Sequence, residues 1–453
     1  MADLDTIFKA YDVRGVVPDQ MDAALCEQIG AAFGRFVLDQ ADGRKPRRVL
    51  VARDMRTSGV ELAGAFAAGV QHQGLDVVDL GLASTDLVYF AAGSLDAPGA
   101  MFTASHNPAR YNGIKLCLAG ARPIGQDTGL DEIKRLVASG VAAAPTEAGR
   151  IESLDLLDDF AQHVRSFVDA AALRPLRVVA DTANGMAGLV VPKVFEGLPF
   201  ELDLLYPELD GTFPHHPADP IQPENLRDLQ ARVGATGADV GLAFDGDADR
   251  VFLVDDQAEP LSGSATTSIV ATGILEREPG ATILHNLICS KAVPEVIREH
   301  GGTPVRTRVG HSFIKQIMAE TGAAFGGEHS AHYYFRDNFR ADSGSIAALV
   351  VLERICKAGV PLSELRRPFD RYAASGEINT AVHDPAAVID RVAAAYTNAA
   401  QDRVDGLTVD LGDWWFNLRP SNTEPLLRLN LEAPTRSAVD AHVAEVRALI
   451  TKG

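Results

Sequence analysis

The chain has 453 residues, of which 46% are hydrophobic and 23% are charged, so its length and composition suit about three or four globular domains. Its net charge of −19 argues against nucleic-acid and anionic-membrane partners, and a small anionic ligand would need a local positive pocket. A signal peptide and any run of about 18 apolar residues are missing from the sequence, which predicts a cytoplasmic protein without a membrane span. The four cysteines lack the spacing of a zinc site, so we expect reduced thiols.

Short apolar runs alternate along the chain with longer amphipathic stretches. This alternation predicts α/β layers with largely parallel strand pairing. The pattern restarts near 150–175 and near 255–280, and from about 371 it becomes a smaller α+β unit with strand-like segments at 407–417 and 425–432. The other strand candidates are 48–52, 176–180, 240–244 and 282–284, and the helix candidates are 59–73, 128–139, 226–236, 292–300, 312–321, 344–357 and 437–450.

The segment 103–108 (Thr-Ala-Ser-His-Asn-Pro) predicts a tight turn, because Asn and Pro favour turn geometry. Ser105 is its candidate nucleophile, and His106 and Lys115 can supply the base and the cation that a phosphorylated serine needs. On this segment alone, an ordinary surface serine is the favoured interpretation. A serine hydrolase is weaker still, because Ser105 does not stand in a G-x-S-x-G elbow.

Asp245, Asp247 and Asp249 alternate along a loop that follows the apolar run 240–244. Three carboxylates spaced in this way can converge on one hard cation, and Mg²⁺ prefers oxygen ligands that often include a substrate phosphate. An EF-hand calcium loop is disfavoured, because Arg250 stands where glycine is needed and Asp256 stands in place of the glutamate. A solvated acidic turn would leave Arg250 unexplained, whereas an arginine here can hold a phosphate.

Glu328 and Ser330 lie two residues apart in a glycine-led loop, and side chains at this spacing in an extended segment point to one side. They suit paired hydrogen bonds to adjacent sugar hydroxyls, although a solvated strand end gives the same pattern. His311 precedes the helix candidate 312–321. It is a candidate proton-transfer group or sugar contact, or simply a neighbour of the helix cap.

A polar segment near the C-terminus offers donors for an anion. Hydroxyl, amide and backbone groups between two guanidinium forks would form a phosphate-binding nest. The structural alternative is a proline-bounded turn with a helix cap, and the arginine pair favours the phosphate. The residues are Arg419, Ser421, Asn422, Thr423 and Arg428.

Taken in chain order, these motifs resemble those of the α-D-phosphohexomutase family, and within it the bacterial phosphomannomutase/phosphoglucomutase type. The resemblance runs nearly end to end, and the ordered set is far more specific than any single motif. It is carried by the segments 8–15 (Phe-Lys-Ala-Tyr-Asp-Val-Arg-Gly), 103–108, 112–115, 213–217, 223–226, 245–250, 309–312, 327–332 and 419–425.

The resemblance implies a heart-shaped molecule with four domains around a central cleft. Three related α/β/α domains with mixed sheets would precede a smaller C-terminal α+β domain. The implied domains are 1–149 with the phosphoserine loop, 150–254 with the metal-binding loop, 255–370 with the sugar-recognition loop, and 371–453 with the phosphate-binding loop.

The resemblance also implies a mechanism, in which Ser105 carries a phosphoryl group and a hexose 1,6-bisphosphate serves as intermediate and activator. Mg²⁺ would be bound by Ser105, Asp245, Asp247 and Asp249. The implied catalytic residues are Ser105, His106, Lys115, Arg250 and His311, with the general acid or base left open among Lys115, His106 and His311. The implied substrate-binding residues are Tyr11, Arg14, Gly310, Glu328, Ser330, Arg419, Ser421, Asn422, Thr423 and Arg428.

The implied activity interconverts mannose 6-phosphate and mannose 1-phosphate, and also the two glucose phosphates, in a monomer or weak homo-oligomer without nucleic-acid or membrane partners. His329 and Ala331 stand where dual-specificity relatives carry Met and Gly, and phosphoglucosamine mutases carry Gln at the first position. The sugar preference therefore stays open. The alternatives are a phosphoglucosamine mutase and a non-catalytic sugar-phosphate-binding protein, whereas a phosphatase is disfavoured because the DxDxT/V pattern is missing.

Overall fold

The computed structural model describes residues 3–40, 47–144, 147–420 and 426–452. They divide into two units: unit 1 comprises Met1–Ser262 and Ser330–Ser363, and unit 2 comprises Gly263–His329 and Glu364–Gly453. The helices are α1 (Leu4–Ile7), α2 (Ala23–Asp39), α3 (Gly59–Gln71), α4 (Thr85–Ser94), α5 (Leu130–Ser139), α6 (Leu157–Arg165), α7 (Ala187–Phe195), α8 (Arg227–Thr236), α9 (Gly263–Arg277), α10 (Ala292–Glu299), α11 (His311–Thr321), α12 (Gly344–Ala358), α13 (Leu362–Leu365), α14 (Pro385–Ala395) and α15 (Arg436–Thr451). The strands are β1 (Val13–Val16), β2 (Arg48–Arg53), β3 (Asp76–Leu82), β4 (Gly99–Phe102), β5 (Tyr111–Leu118), β6 (Arg122–Pro123), β7 (Ile151–Ser153), β8 (Leu176–Asp181), β9 (Phe200–Leu205), β10 (Val240–Phe244), β11 (Val251–Asp255), β12 (Thr282–Asn286), β13 (Thr303–Thr307), β14 (Phe325–Gly327), β15 (Tyr333–Phe335), β16 (Ala373–Ala381), β17 (Ala400–Asp402), β18 (Leu407–Asp410), β19 (Trp415–Pro420) and β20 (Leu426–Ala433).

The first sheet of unit 1 has the order β1-β5-β4-β2-β3-β7, with β6 beside β5. Strands β4, β2, β3 and β7 are parallel, whereas β5 runs antiparallel to β4, β1 and β6. The predicted parallel pairing therefore holds for four strands of this sheet, and β5 departs from it. The physical reason is the short connection 103–110 between β4 and β5, because a parallel neighbour would need a crossover of a dozen or more residues.

Helices cover both faces of this sheet. Val49 and Val51 of β2 join the core formed with α2, α3 and α5. The intervening Leu50 is equally buried and lies with Gly99 against Val88 of α4. A strand buried on both faces reads as a continuous apolar run, which explains why 48–52 predicted a strand without alternation.

The second sheet of unit 1 has the order β11-β10-β8-β9. Strands β8, β9 and β10 are parallel, and β11 returns antiparallel to β10. Every residue of β10 is buried. The carboxyl ends of β8 and β10 therefore meet at one edge of the sheet, where open α/β sheets place their functional loops.

Unit 2 contains three parallel strands in the order β13-β12-β14 and a separate five-stranded sheet in the order β16-β20-β19-β18-β17. The second of these is antiparallel throughout, and α14 and α15 pack on it around an apolar core. The predicted strand-like segment 407–417 is a hairpin made of β18 and the start of β19. Gly412 allows the turn, because its φ is +91°.

The predicted helices all form, and each begins and ends within two residues of its predicted bounds. Side-chain caps fix several starts: Asp22 accepts from the N–H of Leu25 in α2, and Ser343 accepts from the N–H of Ile346 in α12. Left-handed glycines end others, as Gly237 does for α8. Among the helices of the described ranges, none is long and apolar enough to cross a membrane.

Gly69 allows α3 to lie in close contact with α2, and a second glycine of α3, Gly64, gives a control for a test of this packing. A Cβ at Gly69 of α3 would lie 2.0 Å from the carbonyl oxygen of Glu27 in α2, whereas one at Gly64 would meet no atom within 4 Å. We expect Gly69→Ala to lower the free energy of unfolding by about 1–3 kcal/mol through overpacking. Gly64→Ala is the matched control and should raise it by up to about 1 kcal/mol, because alanine favours helix. Equal effects in chemical denaturation would contradict this account of the α2–α3 contact.

Candidate active site

The three aspartates of the loop 245–250 converge at the carboxyl end of β10. One carboxylate oxygen from each of Asp245, Asp247 and Asp249 lies within 4.8 Å of the others, and all three residues are buried. Gly246 allows this loop to approach the serine loop closely, because a Cβ at Gly246 would lie 2.4 Å from the carbonyl oxygen of Ser105. The predicted acidic cluster is thus present and lies against the predicted nucleophile.

Ser105 follows β4 and has a left-handed backbone with a φ of +48°, which is uncommon for a residue other than glycine. Its hydroxyl donates a hydrogen bond to Oδ2 of Asp245 at 2.6 Å. Arg250 donates to the same hydroxyl oxygen at 3.3 Å and forms an ion pair with Asp245 at 2.9 Å. The candidate nucleophile, one carboxylate and one guanidinium therefore form a single buried contact.

Lys115 of β5 neutralises the other two carboxylates. Its Nζ lies 2.7 Å from Oδ2 of Asp247 and 2.7 Å from Oδ2 of Asp249. Within the described part of the chain, the second oxygens of Asp247 and Asp249 are buried and accept no hydrogen bond. Buried carboxylate oxygens without donors suit a divalent cation, which prefers hard oxygen ligands. The residues therefore fit a metal ion.

Burial and neighbouring charges shift the pKa values of the cluster. Burial raises the pKa of the Asp245 carboxyl well above its usual range, and the adjacent Arg250 offsets this only in part. Burial acts in the same direction on Asp247, but Lys115 outweighs it and lowers the pKa of that carboxyl. The pKa of Lys115 is raised because both aspartates outweigh its burial. A bound cation would supply the positive charge that keeps Asp245 ionised.

His106 lies beside this cluster, but its Nδ1 is already engaged. Arg250 donates to Nδ1 at 2.7 Å, and the Ser105 hydroxyl oxygen lies 3.4 Å from the same nitrogen. Burial, together with the charges of Arg250 and Arg14, holds the pKa of His106 well below its usual range. His106 is therefore a neutral imidazole whose Nδ1 lone pair accepts from Arg250.

The N-terminal signature lies at the edge of the same sheet, where β1 pairs with β5. Arg14 donates to the side chain of Asn107 in the serine loop and pairs with Asp12. Tyr11 precedes this strand and is half-buried. The structure thus brings the predicted residue Arg14 to the serine loop.

In unit 2, the carboxyl ends of three parallel strands bring Glu328 and Gly310 together. Oε1 of Glu328 accepts from the N–H of Gly310 at 3.2 Å and from the side chain of Asn286 at 3.3 Å. The loop that follows is not extended as predicted, because residues 329 and 330 form a turn and Ala331 has a φ of +65°. The argument from alternating side chains therefore does not hold for Ser330, which belongs to unit 1 and lies 3.1 Å from Nδ1 of His332.

The two arginines predicted to bind phosphate are cross-strand neighbours on β19 and β20 of unit 2. Arg419 donates to one oxygen of Glu377 at 3.0 Å, and Arg428 lies 3.2 Å from the other oxygen of the same carboxylate. Two guanidinium groups thus share one carboxylate, an arrangement that suits a further anion. Ser421, Asn422 and Thr423 lie outside the described residues. His311 begins α11, and its side chain also lies outside what the structure describes.

The structure adds two residues that the sequence reasoning did not select. Thr85 at the start of α4 donates to Oδ2 of Asp247 at 2.6 Å, across 162 positions of sequence. His332 lies with its Nε2 3.9 Å from Oδ1 of Asp249 and is half-buried. His332 is the last residue of the motif 327–332, and this position in the motif could have marked it as a site residue. No sequence pattern pointed to Thr85.

Comparison with known proteins gives the family of the chain. Four family models match it: phosphoglucomutase/phosphomannomutase alpha/beta/alpha domain I over residues 5–143, domain II over 157–258, domain III over 262–372, and the C-terminal domain over 377–449. The chain belongs to the phosphoglucomutase/phosphomannomutase family. This confirms the predicted family, the four-domain α/β fold and the assignment as a mutase. The predicted domain boundaries at 149, 254 and 370 stay predictions.

Relatives of this phosphoglucomutase/phosphomannomutase family match along almost the whole chain. A phosphomannomutase of Escherichia coli strain K12 is 40% identical, with 98% of both chains covered. A protein of Xanthomonas campestris named phosphohexose mutases is 41% identical, with 97% of both chains covered. A crystal structure of a phosphoglucomutase/phosphomannomutase family protein from Burkholderia thailandensis superposes with a TM-score of 0.90, at 32% identity, and covers 100% of this chain and 99% of that one.

The fit of a metal ion can be tested without measuring turnover. Loss of even an indirect partner of a metal ligand costs roughly 10- to 100-fold in affinity, so Asp247→Asn should weaken binding of Mg²⁺ or Mn²⁺ at least that much. Titration calorimetry on the purified protein measures this. The control is Asp131→Asn, which removes an exposed carboxylate of α5. Equal affinity in Asp247→Asn and the control would show that the cluster is not the cation site.

Proposed function

We propose that this mutase interconverts mannose 6-phosphate and mannose 1-phosphate, and also the corresponding glucose phosphates, through a phosphorylated Ser105. The observation that carries the proposal is the hydrogen bond from the Ser105 hydroxyl to Asp245 inside the buried acidic cluster. A serine held among carboxylates and cations suits a reversible phosphoryl carrier, because the cluster can bind the charge of the group that it carries. The relatives named phosphomannomutase support mannose as a substrate sugar.

The proposed reaction has two transfers. A free hydroxyl of the bound hexose phosphate forms a bond to the phosphorus as the bond from phosphorus to Oγ of Ser105 breaks. The hydroxyl proton passes to a base, and the released Oγ takes up a proton, so that the serine hydroxyl is restored. The resulting hexose 1,6-bisphosphate then gives its other phosphoryl group back to Ser105 and leaves as the isomer. Catalysis of such a transfer consists mainly of positioning and of stabilising charge. Arg250 would stabilise the Oγ of Ser105 as it leaves, because it already donates to that oxygen.

Mg²⁺ is the proposed cofactor, held by Asp245, Asp247, Asp249 and the phosphorylated Ser105. When bound, the ion supplies positive charge that offsets the negative charge of the phosphoryl oxygens. Asp245 is available for this role once Ser105 is phosphorylated, since the hydroxyl hydrogen that it accepts is then gone. The protein's own contribution is the pre-set spacing of the three carboxylates, two of which contact Lys115 and the third Arg250.

The contacts of the described residues support one choice of proton-transfer group. Lys115 bridges two carboxylates and has a raised pKa, so it is better suited to stabilise charge or to donate than to accept a proton. His106 has its Nδ1 engaged by Arg250. His332 lies next to Asp249 with only part of its ring buried, and we assign it the transfer of the substrate hydroxyl proton. His311 stays a candidate for a sugar contact.

Several polar side chains are proposed to bind the substrate. We propose that Arg419 and Arg428, with Ser421, Asn422 and Thr423, hold the phosphate that is not transferred, and that Glu328 binds sugar hydroxyls near Gly310. The carboxylate shared by the two arginines supports this role, because it marks where an anion is favoured. Ser330, Tyr11 and Arg14 are proposed as further contacts to the substrate.

Replacing the nucleophile is the direct test of this function. Wild-type protein with Mg²⁺ and catalytic hexose 1,6-bisphosphate should convert mannose 1-phosphate to mannose 6-phosphate, and Ser105→Ala should lose at least about 10³-fold in kcat because the carrier oxygen is gone. Ser139→Ala, at the exposed end of α5, is the control. The measurement is a coupled assay, with intact mass reporting phosphate on Ser105. Full turnover by Ser105→Ala would overturn the nucleophile assignment.

The proposed role of Arg419 predicts a similar change in KM for every sugar phosphate. Because a hydrogen bond to a charged group contributes about 1.5–3 kcal/mol, Arg419→Ala should raise KM by about 10- to 100-fold. The factor should be similar for mannose, glucose and glucosamine 1-phosphates, since all share the phosphate. Arg403→Ala removes an exposed arginine of the same unit and serves as the control. A rise confined to one sugar would contradict a phosphate-binding role.

A further inference from the structure

Arg56 is a buried arginine outside the chemistry described above, and its guanidinium is fully used. It lies in the loop between β2 and α3 and is 1% exposed. Its Nε donates to Oδ2 of Asp54 at 3.1 Å, which leaves four N–H groups for other partners. Those four donate at 2.7–3.0 Å to the backbone carbonyl oxygens of Ser105, Asn107, Pro108 and Tyr111.

Three of the four carbonyl groups belong to the connection between β4 and β5 that carries Ser105, and the fourth is that of Tyr111, the first residue of β5. The acceptors form two pairs, because one terminal nitrogen binds Ser105 and Asn107 and the other binds Pro108 and Tyr111. A planar fork with paired donors can serve two pairs of acceptors at once, whereas the three N–H groups of a lysine leave from one nitrogen. The serine loop thus depends on a single side chain for four of its backbone contacts.

The loop needs such a constraint at Ser105. This residue holds a left-handed backbone with a φ of +48°, a conformation that persists only when surrounding contacts impose it. The Arg56 bond to the Ser105 carbonyl is one such contact, and the hydrogen bond from the Ser105 N–H to the Thr103 hydroxyl at 2.9 Å is another. Together they fix the direction in which the Ser105 side chain leaves the backbone, toward Asp245.

A second loop of unit 1, at 211–217, closes over Arg56. The guanidinium carbon lies 5.1 Å from the centre of the Phe213 ring, and a Cβ at Gly211 would lie 2.6 Å from the Cα of Arg56. This contact keeps water from the guanidinium, and hydrogen bonds in such a low-dielectric setting are electrostatically stronger than in water. The motif 213–217 thus gains a physical role as the cover of Arg56.

We propose that Arg56 is a positioning residue for phosphoryl transfer: by bonding four carbonyls it holds the Ser105 loop so that the serine oxygen stays on Asp245. The inference rests on the proposed function of Ser105 as the phosphoryl carrier. Arg56 touches neither substrate nor the reacting atoms, so its loss should disturb the transfer step rather than substrate binding. Misplacement of a reacting group by about 1 Å can cost about 100-fold in rate.

The test compares Arg56→Lys with Arg110→Lys. The lysine keeps the charge opposite Asp54 but cannot serve all four carbonyls, while Arg110 is an exposed arginine of the same connection whose guanidinium lies over Tyr111. We expect Arg56→Lys to remain folded by circular dichroism, to lose about 100-fold in kcat with little change in KM, and to show faster hydrogen exchange across 104–113. The phosphoserine, followed by intact mass after loading with hexose 1,6-bisphosphate, should also hydrolyse at a changed rate. Arg110→Lys should match wild type in all four measurements.

A folded Arg56→Lys with the kcat and phosphoserine lifetime of Arg110→Lys would overturn the proposal, and so would a loss expressed only in KM. If Arg56→Lys does not fold, Phe213→Leu decides, because it removes the covering ring and leaves every bonded atom of Arg56 in place. A lower kcat at unchanged KM supports the proposal, and an unchanged kcat overturns it. Ser105→Ala in the same assay separates a failure of the proposed function from a failure of this inference. Turnover by Ser105→Ala would overturn the proposed function. An inactive Ser105→Ala beside an Arg56→Lys with normal activity would overturn only the role of Arg56.

Discussion

The burial of three carboxylates within 4.8 Å of one another is the constraint on which the candidate site of unit 1 depends. Asp245, Asp247 and Asp249 would repel one another strongly away from water, and taking each from solvent is costly unless it is paired. Lys115 reaches them from the first sheet and Arg250 from their own loop, so the two sheets of unit 1 must keep a fixed spacing. The position of Ser105 follows from this arrangement of charges. Its hydroxyl donates to Asp245, the carboxylate that pairs with Arg250 and not with Lys115.

Charge also explains why a cation belongs to this arrangement. Three carboxylates face two basic side chains, and the pKa of Asp245 is raised mainly by its burial and further by the neighbouring charges of Asp247 and Asp249. A phosphoryl group on Ser105 would add about −1.5 to −2 more at neutral pH. A bound cation would offset this charge, and the second oxygens of Asp247 and Asp249, which accept no hydrogen bond within the described residues, would be available to bind it. The chain as a whole, at −19, offers no long-range help to an anionic substrate.

The sequence could predict those parts of the fold and of the site whose residues lie close together along the chain. Strand β10 and the cluster after it were readable because a buried strand is a continuous apolar run and its loop holds three carboxylates within five positions. The cross-strand pair Arg419 and Arg428 was visible for the same reason. Partners that meet only after folding were not visible: Thr85 lies 162 positions from Asp247, and Arg56 lies about fifty positions from the carbonyls that it binds. The turn at 329–330 was not predicted, because the left-handed residue that follows it is Ala331, and alanine does not indicate a turn.

Gly246 limits which substitutions this protein can accept in evolution or in engineering. The carbonyl oxygen of Ser105 occupies the space that any side chain at this position would fill. The loop of the first sheet and the loop of the second therefore cannot be altered separately: a longer residue in one requires a retreat of the other, which would pull Ser105 off Asp245. A chimera that takes one sheet of unit 1 from a relative should therefore take the loops 103–110 and 245–250 from the same relative. The two loops that form the cluster would then be selected together.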